Sequence, residues 1–592
     1  MILIFGGTTE GRLAVDVCEQ AGQQFYYSTK GSGQDVEMHN GVRLSGSMTT
    51  EDIVSFCHTH DIQCIIDAAH PFAENLHSTI DETRLPVIRY QRTFSPHREG
   101  VTYCSDYLDA VSKLNETHIK KLLALSGVNT ISKLRDYWTE HDTVFRILNR
   151  QESIGTAEKN GFPLSNVIYY NDTTSLPTIE QEMQMMTDVG CDAIITKESG
   201  DSGGFDTKID AALQLGIKAF VVAHPQLPKH WTYVSGKHGL RRAIETLVPS
   251  FFPLKTGLTT GACATAATKA AMLSFLFDEY PEEVSFALPD GETLTIPVSH
   301  DSKGVASVVK DFSDDPDITK GCRITSKVEF AHFSHHEKKN VIHHDSKNGI
   351  RFLQGTGVGT VTLPGLGIPV GEPAINPTPR RMIAEEIRSL TFDDIDVTIS
   401  VENGEELAKK TFNHKVGVVG GISIIGTSGI VHPLSNEAFI SSIRRELEVA
   451  WTIGEREVAL VAGMKSEEAL KREKDIRCVH YGNFIGEALH AAHDIGFRHV
   501  TLAIMIGKAV KLAEGHLDTH SHKVEMNRSF LCSIAEELGI DASPIENISM
   551  ARDLWGIMPQ PFFERISALC LQHCKSVFPQ GEIQIRLIQC ER

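Results

Sequence analysis

Short apolar segments alternate with amphipathic ones along the first half of the chain, and this alternation restricts its fold more than any other feature. MILIF predicts a buried strand, residues 10–21 predict a helix, and QFYYS predicts the next strand. The series continues with IQCIIDAA, LPVIRY, KLLALSG, VFRILN, NVIYYN, DAIITK and KAFVVAH. Such a pattern is typical of a parallel sheet covered on both faces. The number of strands predicts an α/β fold with two Rossmann-like lobes and a break near residues 115–120.

The composition narrows the class of protein. The chain has 592 residues and a formal net charge of -19, which argues against a general nucleic-acid or membrane binder. No apolar run is long enough to span a bilayer, and MILIF is too short, and lacks the basic flank, for a signal peptide. The 12 cysteines contain no CxxC pair and suit a reducing compartment. We therefore expect a cytoplasmic globular protein.

A glycine-rich loop, GGTTEGR, follows the first strand at the place of a dinucleotide fingerprint, although its spacing is not GxGxxG. The second strand ends in Ser28-Thr29-Lys30 and has no carboxylate there, which favours the extra phosphate of NADP over NAD. The alternative is an ordinary turn with a solvated lysine. The predicted cofactor-binding residues of this lobe are Gly6, Gly7, Thr8, Gly11, Arg12, Ser28 and Lys30.

Two further clusters follow strands of the same half. DAAHPFA, from Asp67, contains His70, and KESG, from Lys197, is followed by Thr207 and Lys208 at the start of a helix. Each cluster could simply cap a helix. Because the carboxyl ends of parallel strands lie at one edge, we expect a shared cleft. We predict cofactor binding by Lys197, Ser199 and Gly200, and substrate binding by His70.

PSFFP, at residues 249–253, separates the halves and is short and stiff, which predicts domains 1–248 and 254–592. KTGLTTGACATAATKAA follows, a Gly/Thr-rich turn that leads into an Ala-rich helix. Thr259 and Thr260 can cap this helix, and Gly261 lets the backbone approach a ligand, so that first-turn N–H groups can meet an anion. The alternative is capping with small residues packed against a neighbour. We predict substrate binding by Thr259, Thr260 and Gly261.

The second half also contains glycine-dense loops after apolar strands. They lie in GTGVGTVTLPGLGIPVGEPAINPTPRRMI, NHKVGVVGGISIIGTSGIVHPLS, YGNFIG and IGKAVKLAEGHLDTHSHK. Such loops can hold a nucleotide-like ligand against bare backbone, although each could be a tight hairpin or bulge. In the last motif His516, Asp518, His520 and His522 alternate, so an extended strand would place all four on one face. A metal site or a substrate site with proton transfer would both fit this pattern.

These motifs resemble two known families. ILIFGGTTEGR, IDAAHPFA, the segment with Arg89 and Arg92, and TKESG followed by Lys208 resemble the precorrin-6A reductase family over residues 1–245. TGLTTGACATAA and the glycine-dense motifs resemble the cobalt-precorrin-5B C-1-methyltransferase family over about residues 254–590. The first resemblance implies hydride transfer from a nicotinamide to a tetrapyrrole double bond. The second implies S-adenosylmethionine as the methyl donor and a cobalt-bound tetrapyrrole as the acceptor.

The resemblance assigns further roles in the second half. The module lacks the fingerprint of the common methyltransferase fold, so we expect an α+β or α/β module of non-standard fold. We place S-adenosylmethionine against the glycine loops, at Gly355, Gly357, Gly359, Gly420 and Gly421. Because the substrate carries many carboxylates, basic anchors are predicted at Arg380, Arg381, Lys508 and Lys511. His516, Asp518 and His520 are the predicted catalytic residues.

The resemblances together predict a bifunctional enzyme of corrin biosynthesis that methylates cobalt-precorrin-5B and then reduces cobalt-precorrin-6A with NADPH or NADH. Cobalt arrives with the substrate, so no metal bound by the protein is expected. Contact with other corrin-pathway enzymes is a further hypothesis. Two alternatives remain: a first half that binds tetrapyrrole or nucleotide without catalysis, and an oxidoreductase of unrelated substrate.

Overall fold

The apolar strands of the first half pair in parallel in a computed structural model of the protein, which describes residues 1–31, 36–92, 94, 96–170, 177–199, 204–331, 349–520 and 524–589. The chain divides into two compact units. The first contains residues 1–253 with 292–294, and the second contains residues 254–291 with 295–592. Across the described residues, each helix is too short or too polar to cross a membrane.

The strands of the first unit are β1 (Ile2–Phe5), β2 (Phe25–Thr29), β3 (Gly41–Ser45), β4 (Cys64–Asp67), β5 (Val87–Tyr90), β6 (Val101–Cys104), β7 (Lys121–Ala124), β8 (Asp142–Leu148), β9 (Val167–Tyr170), β10 (Ala193–Lys197), β11 (Lys218–Val222) and β12 (Thr232–Val234). Its helices are α1 (Thr9–Glu19), α2 (Thr50–Thr59), α3 (Glu74–Glu82), α4 (Tyr107–Glu116), α5 (Arg135–Trp138), α6 (Gln151–Lys159), α7 (Ile179–Val189), α8 (Phe205–Gln214) and α9 (Gly236–Leu247).

These strands form two parallel sheets, with the orders β12-β5-β4-β1-β2-β3 and β6-β11-β10-β7-β8-β9. Alternate residues of β1 enter different cores. Ile2 and Ile4 pack in the core that contains Ala14 of α1, whereas Leu3 and Phe5 pack in a core on the opposite face. Both faces of the sheet are therefore covered, and the prediction of two Rossmann-like lobes is confirmed.

The strands that the sequence did not predict are β3, β6 and β12, which lie at sheet edges. Their residues are partly exposed, so they lack the continuous apolar run of a central strand. The predicted break near residues 115–120 is wrong for the same reason. The second sheet already begins with β6, which pairs with β11.

The remaining strands are β13 (Gly257–Leu258), β14 (Glu283–Ala287), β15 (Thr293–Pro297), β16 (Ser299–Ser302), β17 (Val305–Val309), β18 (Arg323–Phe330), β19 (Ile350–Gln354), β20 (Thr360–Val361), β21 (Ile395–Val401), β22 (Val418–Val419), β23 (Ile430–Val431), β24 (Glu457–Val461), β25 (Cys478–His480), β26 (His499–Met505) and β27 (Glu582–Ile588). The remaining helices are α10 (Thr260–Phe277), α11 (Pro377–Arg388), α12 (Gly404–Ala408), α13 (Asn436–Thr452), α14 (Met464–Lys471), α15 (Ile485–Ile495), α16 (Ile506–Ala513), α17 (Arg528–Glu537), α18 (Ser543–Glu546), α19 (Leu554–Ile557) and α20 (Gln560–Val577).

The second unit contains a mixed sheet, β16-β17-β18-β21-β19, and a parallel sheet, β25-β24-β26-β27. α10 packs against β17 and β18 and is buried over most of its length. Its Ala, Gly and Thr side chains are small enough for this central position, and the Thr268 and Ser326 hydroxyls meet at 2.8 Å. The predicted α/β class, with a second module of mixed architecture, is confirmed.

Candidate active sites

The loop after β1 is held by contacts to neighbouring strands. The Thr8 Oγ1 accepts a hydrogen bond from the Gly11 N–H at 3.0 Å and donates one to the Ala68 carbonyl at 2.6 Å. The Gly7 N–H donates to the Tyr27 hydroxyl at 3.0 Å. The protein itself therefore fixes the conformation of this loop at the N-terminus of α1.

The three glycines of the loop serve different needs. A Cβ on Gly6 would overlap the Tyr27 ring, and a Cβ on Gly11 would lie 2.9 Å from the Gly6 Cα, so both positions are set by packing. Gly7 has a φ of +96°, and a Cβ there would meet no atom within 4 Å. Gly7 thus borders open space beside a helix N-terminus, a setting that fits a nucleotide phosphate.

Basic groups surround this loop. Ser28 is buried at the end of β2, whereas Lys30 and Arg12 are exposed. Arg43, on β3 opposite Tyr27, was missed by the sequence analysis. Its Nε and Nη2 atoms are buried and have no hydrogen-bond partner within the part of the chain that the structure describes. A buried guanidinium in this state fits a phosphate, and the half-exposed edge strand gave no signal for it.

A charged cluster lies at the carboxyl end of β4. Asp67 is fully buried, and its Oδ2 contacts Arg89 Nη1 at 2.8 Å and His77 Nδ1 at 2.9 Å. Burial alone would raise the pKa of Asp67, but the His77 and Arg89 contacts outweigh it and lower the pKa. The His70 carbonyl contacts His77 Nε2 at 3.2 Å. The Asp67–His77–Arg89 cluster therefore fixes the segment that carries His70.

His70 and Lys197 both lie in low-polarity surroundings. Burial, with the charges of Arg92 and Lys197, lowers the pKa of His70 to about 4, so its ring is neutral at neutral pH. Burial lowers the pKa of Lys197 to about 8, and its Nζ lies 5.1 Å from the centre of the Phe72 ring. Lys197 ends β10 of the second sheet and Phe72 follows β4 of the first, so the two clusters lie in contact.

Arg92 makes a second connection between the lobes of this unit. Its Nη2 contacts Glu10, in the first turn of α1, at 2.9 Å, and its Nη1 donates to the Ser199 carbonyl at 2.8 Å. Arg92 thereby links Ser199 to the first turn of the helix that follows the glycine loop. Gly200, the neighbouring predicted residue, lies outside the described residues.

In the second unit the Thr259–Gly261 turn is tied to its surroundings. The Gly261 N–H donates to the Ile425 carbonyl at 2.9 Å, and the Ala262 N–H donates to Thr259 Oγ1 at 3.1 Å. Thr260 Oγ1 accepts from the Ile425 N–H at 2.9 Å. The expectation that first-turn N–H groups are available to an anion is therefore wrong for these two donors. The Gly261 N–H is used by the 423–426 segment, and the Ala262 N–H is used by the Thr259 cap.

The glycine loops predicted to bind S-adenosylmethionine pack mainly against each other. A Cβ on Gly355, Gly357, Gly359 or Gly421 would overlap backbone or side-chain atoms of a neighbouring segment. The Gly359 N–H donates to the Ile422 carbonyl at 2.9 Å, and the Ile422 N–H donates to the Gly357 carbonyl at 3.0 Å. Gly420 differs, since its φ is +81° and a Cβ would meet no atom within 4 Å. The other four glycines therefore allow two protein segments to pack closely, whereas Gly420 borders open space.

The predicted basic anchors have different surroundings. Arg380 is buried, contacts Glu372 at 2.8 Å and donates from Nε to the Ile375 carbonyl at 2.8 Å, so it holds the segment before α11. Arg381 is exposed. Lys508 Nζ donates to the Gly482 carbonyl, and Lys511 Nζ donates to the Thr519 carbonyl at 3.3 Å. Burial, together with the charge of Lys511, lowers the pKa of Lys508 to about 8.

Two glycine-containing motifs of the second half, YGNFIG and IGKAVKLAEGHLDTHSHK, meet beyond the carboxyl ends of β25 and β26. Phe484 and Asp518 form an isolated antiparallel bridge, and the Thr519 N–H donates to the Asn483 carbonyl at 3.0 Å. The expected strand through His516, Asp518 and His520 is wrong, since this segment is irregular apart from that bridge. His522 lies outside the described residues. Asp518 Oδ1 accepts from the His520 N–H at 3.2 Å, so the two residues are adjacent.

A second charged network in this unit was not predicted. Glu467 contacts Lys415 Nζ at 2.7 Å, Lys471 Nζ at 2.7 Å and His480 Nε2 at 2.5 Å. Burial would raise the pKa of Glu467, but these contacts lower it to about 2. Burial raises the pKa of the nearby Glu446 to about 7. Lys415, Glu446 and His480 come from other elements than the helix that carries Glu467 and Lys471, so no local motif could identify the network.

Comparison with known proteins assigns the two halves to enzyme families. Residues 249–433 match the family model CbiD, and residues 1–245 match the model described as Precorrin-6x reductase CbiJ/CobK. A Cobalt-precorrin-5B C(1)-methyltransferase of Prosthecochloris aestuarii is 39% identical over 359 residues, which cover 57% of this chain and 94% of that relative.

The chain belongs to the cobalt-precorrin-5B C(1)-methyltransferase family. A second relative with the same description, from Brucella anthropi, is 41% identical over 310 residues, covering 50% of this chain and 81% of that protein. Among solved structures, a CobK precorrin-6A reductase covers 42% of this chain and 97% of its own, with 18% identity and a TM-score of 0.35. A cobalamin biosynthesis protein (cbiD) from Archaeoglobus fulgidus covers 48% and 85%, with 28% identity and a TM-score of 0.26.

This member of the methyltransferase family therefore carries a precorrin-reductase domain in the same chain. The predicted fusion, with its methyltransferase and reductase classes, is confirmed. The two classes use a methyl donor and a nicotinamide cofactor in general, and the pathway of both families implies a tetrapyrrole substrate.

Proposed function

We propose that the chain catalyses two consecutive steps of corrin-ring biosynthesis. The second unit methylates C-1 of cobalt-precorrin-5B with S-adenosylmethionine, and the first unit reduces the resulting cobalt-precorrin-6A to 6B with NADPH. The observation that carries this proposal is the union of both families in one chain. The boundary between the activities would fall at residues 249–253, in agreement with the division of the chain after Pro253.

In the first unit, the open space at Gly7 and the N-terminus of α1 would receive the pyrophosphate. Arg43 would receive the extra phosphate at Nε and Nη2, which are buried and have no hydrogen-bond partner among the described residues. Arg12, in the helix after the glycine loop, and Lys30, just after β2, would assist it. The nicotinamide supplies the hydride when it is bound. His70 would contact the substrate and Lys197 the cofactor, while Arg92 connects the two lobes.

In the second unit, methyl transfer forms a carbon–carbon bond and breaks the sulfonium carbon–sulfur bond, whose electrons remain on sulfur. S-adenosylmethionine supplies the methyl group when bound. The protein must position the acceptor carbon in line, exclude water and accept a ring proton. His520, which adjoins Asp518, is the proposed proton acceptor, and Lys508, Lys511 and Arg381 would contact substrate carboxylates.

A cytoplasmic location is part of the proposal. The cysteines within the described ranges are free thiols, and nearly all are buried. Free thiols suit a reducing compartment.

The G7V variant of the full chain tests the assignment of the two halves. The branched side chain would occupy the open space at the loop, so reduction of cobalt-precorrin-6A should be lost while methylation continues at the parent rate. G22V is the matched control, because Gly22 also has a positive φ, +62°, and open surroundings, but follows α1 rather than β1. Equal loss of both activities in folded G7V would contradict two independent sites.

A further inference from the structure

A carboxylate and an imidazole form a pair at the carboxyl ends of β10 and β11. Glu198 follows β10 directly, and His224 lies two residues after β11. Glu198 Oε2 lies 2.6 Å from His224 Nδ1 and accepts the His224 backbone N–H at 3.1 Å. The Glu198 side chain is 7% exposed, whereas that of His224 is 29% exposed. The carboxylate is therefore shielded, while the imidazole keeps access to its surroundings.

The orientation of the imidazole is fixed by a further contact. The Phe94 ring stacks on the His224 ring, with centroids 4.3 Å apart and planes at 3°. The hydrogen bond from His224 is the main cause that lowers the pKa of Glu198, so this carboxyl group is ionised and can only accept. Nδ1 must then be the donor to Glu198. Proton exchange with a ligand is left to Nε2.

The pair lies among the residues that connect the two lobes. Lys197 and Ser199 flank Glu198 in sequence. Ser199 accepts a hydrogen bond from Arg92, and Arg92 also contacts Glu10 in the helix that follows the glycine loop. A substrate between the lobes would therefore meet the strand end that carries Glu198.

Reduction of a conjugated double bond needs both a hydride and a proton. We propose that His224 is the catalytic residue that protonates the tetrapyrrole after hydride transfer, with Glu198 as its positioning residue. This inference rests on the proposed reduction in the first unit. The His224 Nε2–H bond breaks as a carbon–hydrogen bond forms on the macrocycle, and the neutral ring then regains a proton from solvent.

The other basic groups of the cleft are less suited to this step. His70, with a pKa of about 4, is neutral at neutral pH and is therefore a poor proton donor. Lys197, with a pKa of about 8, is protonated and is the competing donor. His97, 3.8 Å from Glu198 Oε1, is 68% exposed and lacks the short carboxylate contact. These residues supply the matched controls.

The test measures NADPH oxidation by the full chain with cobalt-precorrin-6A. H224Q should lower kcat by about 100-fold or more, with little change in KM for NADPH, whereas H97Q should match the parent. Added imidazole should restore part of the activity of H224A, which a purely structural role would not allow. E198Q should lower kcat by about tenfold or more and leave KM for NADPH near the parent value, because the neutral amide no longer holds the imidazole in place.

Methylation of cobalt-precorrin-5B by the same variants reports on the integrity of the chain. The role of His224 would be overturned if H224Q had the kcat of the parent, or if K197M lost about 100-fold in kcat while H224Q lost none. Either result would leave the proposed reduction intact. If the parent itself oxidised neither NADPH nor NADH with cobalt-precorrin-6A, the proposed function of the first unit would fail. If H224Q and H224A do not fold, a kcat of E198Q equal to that of the parent overturns the proposal.

Discussion

Arg92 and Glu10 form an ion pair 2.9 Å long, with side chains that are only 9% and 12% exposed. The same guanidinium group donates to the carbonyl of Ser199, after β10. A single side chain thus links the helix of the glycine loop to the strand end of the second lobe.

R92K should reduce the rate of cobalt-precorrin-6A reduction by about tenfold or more, because an ammonium group lacks the two-pronged geometry that holds both acceptors. R98K is the matched control, since Arg98 lies in the same connection between β5 and β6 but is 30% exposed and binds Asp206 and Asp210. Steady-state kinetics of both variants, with methylation as an internal reference, test this expectation. A parent-like rate in R92K would show that the link is dispensable.

Arg43 should contribute more to NADPH selectivity than Lys30. R43A is expected to raise KM for NADPH by about tenfold, the loss of one charge-assisted contact, and to leave KM for NADH unchanged. K30A should have a smaller effect, because Lys30 is exposed. Measuring KM for both cofactors in each variant separates the two side chains. Equal changes for NADPH and NADH in R43A would argue against contact with the extra phosphate.

His520 should be needed for methyl transfer and not for reduction. H520A is expected to slow methylation of cobalt-precorrin-5B by about 100-fold, the usual contribution of a general base. H499A is the control, since His499 begins β26 at the opposite end of that sheet and is 57% exposed. Single-turnover methylation measures the chemical step. An unchanged step in H520A would leave Lys508 and Lys511 as the next residues to test.

Glu446 should make the second unit less stable as the pH rises. Burial raises the pKa of its carboxyl group to about 7 in the folded chain, whereas the ordinary value, expected in the unfolded chain, is 4.5. At a pH between these two values the folded chain therefore holds a proton that the unfolded chain has released. As the pH rises through this range, the free energy of unfolding of the parent falls by up to about 3 kcal/mol, and that of E446Q does not show this fall. E446Q and the parent should therefore unfold alike near pH 4.5 and differ above pH 7. E448Q is the control, because Glu448 lies on the same helix but is 46% exposed. A difference in unfolding free energy between E446Q and the parent that did not change with pH would contradict a buried, protonated Glu446.

Local sequence pattern accounts for much of the first unit. The apolar runs of β1, β4, β7 and β10 identify central strands because both faces of such strands are buried. The glycine loop was identified because it follows β1 directly. Arg43 was missed since it lies on a half-exposed edge strand whose partner is set by tertiary pairing.

The second unit was harder to predict because its contacts join distant segments. Gly357, Gly359 and Gly421 have the composition of a ligand loop, but they permit two chain segments to cross. His480 and Glu467 meet only because β25 and α14 are neighbours around one sheet. Alternation at His516 to His520 suggested a strand, although no partner strand exists for it among the described residues beyond the bridge at Asp518.

The mass of the product formed from cobalt-precorrin-5B tests the central claim most directly. With S-adenosylmethionine alone, the pure chain should add one methyl group and stop at cobalt-precorrin-6A. When NADPH is then added, the product should gain two hydrogens and no further carbon. A methylated product that gains no hydrogens with NADPH or NADH, or that gains them without any nicotinamide, would contradict the assignment of two consecutive reactions to this chain.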